Sequence, residues 1–196
     1  LASLLPNQTA AQTLPAGATV THGEAAISQS GSSLLVTQTS RNAILDWNSF
    51  SIGGGASAHF ENGTGATLNR VTGSATSTIQ GSLVATGSVY LINQNGIVIG
   101  EGGVISTGGD FVASTLDPGN AAFLAGGEKV FAGVSDAFVI NYGSVSSLGG
   151  DVALIARNVV NAGRISAPAG TAALIAGREV VMRDAALDDG RFAVRL

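Results

Sequence analysis

The sequence predicts an all-β fold in which short strands stack coil upon coil, that is, a parallel β-helix or β-solenoid. The first observation is a repeat, because residues 151–157 (DVALIAR) return as residues 171–177 (TAALIAG) twenty positions later. A period of this length is too short for a βαβ unit and suits one coil of short strands and turns. The second observation is the composition, with 28 Gly among 196 residues and only 11% charged residues. Together they favour stacked strands joined by tight turns.

The first 60 to 70 residues do not repeat, and their patterns indicate paired strands. The predicted hairpin consists of residues 25–30 and 34–39, joined by a Gly-Ser-Ser turn. Further predicted strands are residues 43–47, 50–52, 58–60 and 66–71. Because a solenoid exposes its terminal coil as an edge that must be capped, we assign about residues 1–70 to an N-terminal cap and the first strands.

The regular coils are predicted from about residue 71 to residue 182. Their first predicted strands are residues 79–84, 88–92, 97–99, 104–106 and 111–114. Residues 115–137 break the rhythm with an Asp-Pro-Gly turn and an apolar run, which indicates an excursion from the stack with a helical turn. Charged residues gather after Arg178, so residues 183–196 are expected to begin a continuation into a longer protein. The whole chain, residues 1–196, is then one domain.

Alternation within the repeat predicts which side chains face the interior of the coils. Val152, Leu154 and Ala156 are expected to point to one face. This assignment turns Ile155 and its repeat Ile175 outward, where they need either cover or tolerance. The reversed assignment stays open, because alternation alone does not say which face is the interior.

Polar residues recur at positions that correspond to corners of the coils. Asn141 and Asn161 each precede a Gly by two residues, and we expect them to take the left-handed backbone conformation there. Asp110 and Asp151 each follow Gly-Gly. This equivalence favours a repeated turn residue over a pair of catalytic carboxylates.

The composition argues against several classes of function. Nine scattered basic residues and a net charge of −4 do not suit nucleic-acid binding, and no apolar run reaches the length of a transmembrane helix. His22 and His59 have no zinc-site spacing, and Asp184, Asp188 and Asp189 lack the alternation of a calcium loop. We therefore expect no cofactor, no metal and no enzymatic activity, since a constellation of acid, base and electrostatic clamp is missing from the sequence.

Four stretches are similar to the N-terminal secretion domain of filamentous-haemagglutinin-type exoproteins of Gram-negative two-partner secretion systems. They are residues 38–53 (QTSRNAILDWNSFSIG), 68–73 (LNRVTG), 79–83 (IQGSL) and 91–100 (LINQNGIVIG). The resemblance runs from about Leu14 to Met182, with the motifs in the family's order. It implies a right-handed parallel β-helix with an N-terminal β cap and extra-helical antiparallel β elements.

The resemblance also implies a function and a location. Such a domain is the secretion signal of a large exoprotein, recognised by the periplasmic POTRA-type domains of an outer-membrane two-partner secretion transporter, and it nucleates β-helix folding at the cell surface. The protein is then secreted from a Gram-negative bacterium, or held on its surface, by way of the periplasm. Two alternatives remain: an adhesive module of haemagglutinin type that binds host-cell glycans or receptors, and, less favoured, a polysaccharide lyase-like enzyme.

The resemblance assigns candidate site residues. The family's Asn-Pro-Asn-Gly motif falls on Asn93, Gln94, Asn95 and Gly96, with Gln94 in place of Pro. We expect this motif either to contribute to transporter recognition or to form a structural turn, because Asn-x-Asn-Gly is also a strong turn sequence. The further family-motif positions are Asn42, Trp47, Phe50, Asn69 and Arg70. Trp47 suits a core position better than a contact surface.

Overall fold

The computed structural model describes residues 13–183 and 192–195. Its elements are β1 Thr19–His22, β2 Ala25–Ser30, β3 Ser33–Gln38, β4 Asn42–Trp47, β5 Ser57–Glu61, β6 Ala66–Val71, β7 Ser77–Ile79, β8 Ser82–Ala85, β9 Ser88–Ile92, β10 Ile97–Ile99, β11 Val104–Thr107, β12 Phe111–Ser114, α1 Asn120–Ala125, β13 Lys129–Ala132, β14 Phe138–Asn141, β15 Ser144–Ser147, β16 Val152–Ala156, β17 Asn158–Asn161, β18 Arg164–Ser166, β19 Ala172–Ala176, β20 Glu179–Met182 and β21 Phe192–Arg195.

The strands form three long sheets and one small sheet. Sheet I has the order β1-β4-β6-β9-β12-β16-β19, sheet II β18-β15-β11-β8-β5-β3-β2, sheet III β17-β14-β10-β7, and sheet IV β13-β20-β21. Each regular coil passes through sheets III, II and I in turn, so that β10, β11 and β12 form one coil and β17, β18 and β19 form a later one. The predicted all-β solenoid is confirmed.

Parallel pairing holds the coils together, and antiparallel strands close the N-terminal end. Leu154, for example, pairs in parallel with Ala113 of the preceding coil and with Leu174 of the following one. The strands β1 and β2 instead pair antiparallel with β4 and β3. Parallel coils begin already at β3 and β4, ahead of the boundary near residue 71 that the sequence suggests. Residues 33–71 stack in parallel without visible sequence repetition.

The interior of the coils is apolar and closely packed. Val152, Leu154 and Ala156 are fully buried in one cluster that extends from Leu14 through the coils. The predicted inward assignment of these residues is therefore confirmed. On the next coil Leu174, which pairs with Leu154, is 51% exposed.

The middle strands of sheet I are buried on both faces, which explains why β9, β12 and β16 are largely apolar runs without alternation. Its outward face carries an aligned row of Ile44, Leu68, Tyr90, Val112 and Ala153, each paired with the next across the sheet. All five residues are buried. We call these residues and the side chains packed with them the outer cluster; its other members are Ile92, Leu116, Phe123, Phe131, Ile155, Ile175, Val180 and Met182.

Residues 115–137, which the sequence assigns to an excursion, leave the stack and cover this outward face. We call them the strap. The strap contains α1 and β13, and it buries Leu116, Phe123 and Phe131 in the outer cluster. The strand β13 pairs antiparallel with β20, which follows the last described coil. Ile155 and Ile175 thus point outward as expected, and the outer cluster provides the cover that they need.

The Asn corners differ from the expectation. In the described residues every residue with a positive φ is Gly, so the predicted left-handed conformation of Asn141 and Asn161 is wrong. The Asn141 side chain makes the corner instead: its Oδ1 accepts from Gly143 N–H at 3.0 Å, and its Nδ2 donates to Asn161 Oδ1 at 2.7 Å. Gly143 is required by close approach, because a Cβ there would lie 2.3 Å from Gly103 O.

The Asp corners follow the expectation. Asp110 Oδ1 accepts from the backbone N–H of Asp151 at 2.9 Å, and Asp151 Oδ1 accepts from Thr171 N–H at 2.8 Å. Each carboxylate thus bonds the backbone of the next coil, which confirms a repeated turn residue. The acidic group at Asp184, Asp188 and Asp189 lies outside the described residues.

Candidate functional site: the Asn93–Gly96 turn and its neighbours

The motif forms a tight turn between β9 in sheet I and β10 in sheet III. Gly96 N–H donates to Asn93 O at 3.1 Å and closes the turn. Gly96 has a φ of 106°, a conformation that L side chains rarely adopt. A Cβ at this position would also lie 3.3 Å from the Phe138 ring, so backbone conformation and space both favour glycine.

Asn93 is fully buried, and its side chain bonds at both ends. Its Nδ2 donates to Ala75 O and to Ser77 Oγ, each at 2.9 Å, which ties the turn to the preceding coil. Its Oδ1 accepts from Asn95 N–H at 2.9 Å and from Asn95 Nδ2 at 3.2 Å. Every hydrogen-bonding group of this side chain is therefore used inside the domain.

The rest of the turn is held from two sides. Asn95 Nδ2 donates to Gly73 O at 2.8 Å, and Asn95 O accepts from Thr76 Oγ1 at 2.9 Å. Gln94 is exposed, and its backbone O accepts from Ser135 Oγ of the strap at 2.6 Å. The surface that the motif offers to a partner is accordingly Gln94, the position where this sequence departs from the family pattern.

Trp47, Phe50 and Asn69 form a buried unit inside the first coils. Trp47 is 1% exposed, and its Nε1 donates to Asn69 Oδ1 at 3.0 Å. The Trp47 and Phe50 rings meet edge to face, with centroids 5.4 Å apart, and Phe50 stacks on Phe60 at 6.4 Å. Trp47 is thus a core residue, as the sequence suggests, and it satisfies an amide that would otherwise be buried without that partner.

Arg70 binds the beginning of the strap. Its Nε and NH2 donate to both carboxylate oxygens of Asp117, and its NH1 donates to Asp46 Oδ1 at 3.3 Å. The side chains of Arg70 and Asp117 are only 19% and 22% exposed. The hydrogen bonds to Asp117 raise the pKa of Arg70 above its ordinary value, so the guanidinium stays charged.

Three of the predicted site positions therefore contact the strap. Asn42 Nδ2 donates to Leu124 O at 3.3 Å, Arg70 binds Asp117, and Gln94 O accepts from Ser135. Sequence reasoning did not find these contacts, because Arg70 and Asp117 are 47 residues apart and share no periodicity. The only available signal was the Asp-Pro-Gly turn at the start of the strap.

An open groove of about 510 Å³ lies between Arg70 and the motif turn, and Thr72, Gln94 and Asn95 line it. Among the described residues no group of three or more His, Asp or Glu could hold a metal ion, and no helix there is long and apolar enough to cross a membrane. Trp47 and Tyr90 are buried, whereas Tyr142 is 47% exposed.

The fold and the motif turn define a class: a capped parallel β-solenoid whose singled-out polar residues hold the coils and the strap together. Comparison with known proteins then identifies the family. Residues 11–194 match the family model of the TPS secretion domain, so the chain belongs to the TPS secretion domain family of two-partner secretion exoproteins. This is a family of secretion domains and not of enzymes.

Similar proteins agree with this assignment. The crystal structure of the HMW1 secretion domain from Haemophilus influenzae superposes with a TM-score of 0.81 at 35% identity, over 87% of this chain and 46% of that one. A heme/hemopexin-binding protein of Haemophilus influenzae strain Rd is 40% identical over 109 residues, which are 55% of this chain. A second heme/hemopexin-binding protein of the same species is 42% identical over 86 residues, or 43% of this chain. The matches span only 12% and 9% of these two curated relatives.

Proposed function

We propose that this domain is the export signal of a longer exoprotein, and that the periplasmic POTRA-type domains of an outer-membrane transporter bind it before it crosses the membrane. The match of residues 11–194 to the TPS secretion domain family carries this proposal. The similarity to the HMW1 secretion domain supports it, at 35% identity and a TM-score of 0.81. The exported protein is then released from the cell or held at its surface.

The edge strand β2 is the surface that we assign to transporter binding. Among the described residues it ends sheet II and pairs only with β3. Thr39 N–H donates to Glu24 O, so residues 24 and 39 form a hydrogen-bonded pair at the start of the β2–β3 ladder. In an antiparallel ladder, hydrogen-bonded pairs alternate with pairs whose N–H groups point away from the partner strand. The N–H groups of Ala25, Ile27 and Gln29 therefore point away from β3, where an extended segment of the transporter could add as a further strand.

The coils themselves suggest how folding assists export. The outer membrane has no ATP, so a chain that crosses it in extended form needs another source of direction. Stacking outside the membrane buries apolar side chains and forms hydrogen bonds between coils, and both effects disfavour return of the chain. The domain would then nucleate the folding of the sequence that follows it.

For the motif we propose a holding role in which Asn93, Asn95 and Gly96 act within the domain. The full use of the Asn93 side chain in internal hydrogen bonds supports this assignment. Gln94, which is exposed beside the groove, is the motif position left for a direct contact with the transporter.

Calorimetry with purified periplasmic repeat domains of the cognate transporter tests both the export-signal function and the assignment of β2 as the binding edge. The variant Gln29→Pro removes one outward N–H from an exposed position, and Gln29→Ala is the matched control that keeps it. One lost hydrogen bond is expected to weaken binding about tenfold in Gln29→Pro, whereas Gln29→Ala should bind as the wild type does. Unfolding curves check that both variants keep the fold.

The two possible failures are separable. If neither the folded nor the unfolded wild-type domain binds the repeat domains, the export-signal function is overturned. If the wild type binds and the two variants bind equally well, the function stands, but β2 is not the edge that the transporter uses.

A further inference from the structure

The strap closes the outer cluster only with the help of residues from the far end of the domain. The outward row of sheet I begins with Ile44 in an early coil. Its cover includes Phe131 of the strap together with Val180 and Met182 of β20. The buried side chains of this one cluster therefore come from positions as far apart as residues 44 and 182.

Polar contacts hold the strap against the coils at both of its ends and near its middle. Asp117 binds Arg70 at the beginning, and Leu124 O accepts from Asn42 near the middle. At the returning end Ser135 Oγ donates to the motif turn at Gln94 O. All three contacts go to coils that precede the strap in the sequence.

The strand β20, which follows the strap in the sequence, holds the strap in place by pairing with β13. Lys129 of β13 pairs with Met182, and Phe131 pairs with Val180, in an antiparallel ladder. Phe131 and Val180 are both fully buried. The ladder cannot form before residues 179–182 are present, because they supply one of its two strands.

We propose that the strap makes the domain one cooperative folding unit that closes only when β20 docks, in contrast to a solenoid that gains stability coil by coil. Simple solenoids are stabilised by nearest-neighbour contacts, so their coils can fold and open one after another. Here the outward side chains of β4, β6 and β9 are exposed to water until the strap lies over them. Burial of that face therefore couples the first coils to residues 115–137 and 179–182.

This coupling has a consequence for export, which rests on the proposed function. A chain that crosses a membrane from its N-terminus buries inner side chains as its coils stack, but it completes the outer cluster only after Met182 has emerged. The motif turn then matters because it holds the returning end of the strap, where Gln94 O accepts from Ser135 Oγ.

Hydrogen exchange of the wild-type chain in low urea tests the proposal without a mutation. We expect backbone amides in β4, β6 and β9 to exchange through the same opening reaction as those in β13 and β20, with the same dependence on urea. If β13 and β20 open while the amides of β4, β6 and β9 keep their protection, the coils are independent of the strap and the proposal is overturned.

A pair of matched variants gives the second measurement. Val180→Ala shortens a buried side chain opposite Phe131, whereas Val134→Ala makes the same change in the strap at a side chain that is 87% exposed. We expect Val180→Ala to lower the protection of β4, β6 and β9 about 10- to 100-fold, as loss of buried methyl groups does, and Val134→Ala to leave it unchanged. A loss confined to β13 and β20 in Val180→Ala contradicts the proposal.

Discussion

Replacement of Asn93 by Ala should destabilise the domain by about 2–4 kcal/mol. The sequence pattern alone shows only that this residue belongs to a turn. Its side chain is fully buried and joins the turn to the preceding coil. In the Ala variant two backbone groups lose their partner, Ala75 O and Asn95 N–H. Each buried polar group left without a hydrogen bond costs about 1–3 kcal/mol, and water that enters the cavity offsets part of that cost.

Urea unfolding followed by circular dichroism measures the effect. At a slope of about 2 kcal/mol per M, the expected loss lowers the midpoint by about 1–2 M. The neighbouring Gln94→Ala is the matched control, because the Gln94 side chain is exposed and only its backbone O is bonded. It should change stability by less than about 0.5 kcal/mol.

A third variant separates the two halves of the Asn93 side chain. Asn93→Asp keeps an oxygen for the N–H groups of Asn95, but it places a carboxylate against Ala75 O, where Nδ2 now donates. Asn93→Asp should therefore also be destabilised. Equal midpoints for wild type and Asn93→Ala, or an equal loss in Gln94→Ala, would refute a turn held by the buried amide.

Two further variants test the corners and the strap. Gly143→Ala places a Cβ 2.3 Å from Gly103 O and should lower the free energy of unfolding in urea by more than about 2 kcal/mol. The control Gly54→Ala has open space around the added Cβ and should be nearly neutral. Equal effects of the two variants would refute the close-approach argument. Asp117→Ala removes the main partner of Arg70 and should lower the free energy of unfolding by about 1–3 kcal/mol. The control Asp136→Ala breaks ion pairs of a side chain that is 70% exposed and should lower it by less than about 1 kcal/mol. The reverse order would contradict the anchoring role of Asp117.

The solenoid was predictable from the sequence because coil stacking leaves a local signature. Leu154 and Leu174 occupy the same position in successive repeats, and they form a parallel pair in the structure. This follows because every coil repeats the environment of the one before it. The need of Ile155 for cover followed from the same alternation. In these cases the residues that determine the structure lie within one or two periods of each other.

The strap contacts were not predictable in the same way. The pairing of Arg70 with Asp117 joins residues with no common period, and the pairing of β13 with β20 depends on a segment that leaves the repeat. The conformation of Asn141 was missed for a different reason. Residue propensity favours the left-handed conformation for an Asn shortly before a Gly. In the stacked coils the Asn141 side chain instead donates to Asn161 of the next coil, and this hydrogen bond determines the conformation of the corner.

If the motif is needed for export, its position allows Asn93 to act through the fold without touching the transporter. The turn at residues 93–96 is the point where three segments meet: the coil that contains it, the preceding coil at Gly73–Ser77, and the returning strap at Ser135. A change at Asn93 loosens all three, because their hydrogen bonds pass through one buried amide or its immediate neighbour. A change at the Gln94 side chain loosens none of them. If export depends on the fold, secretion of a fused passenger should follow the stability order, with Asn93→Ala impaired and Gln94→Ala intact. If export depends on direct recognition of this turn, Gln94→Ala should impair secretion although it leaves the stability unchanged, because Gln94 is the side chain that the motif exposes to a partner.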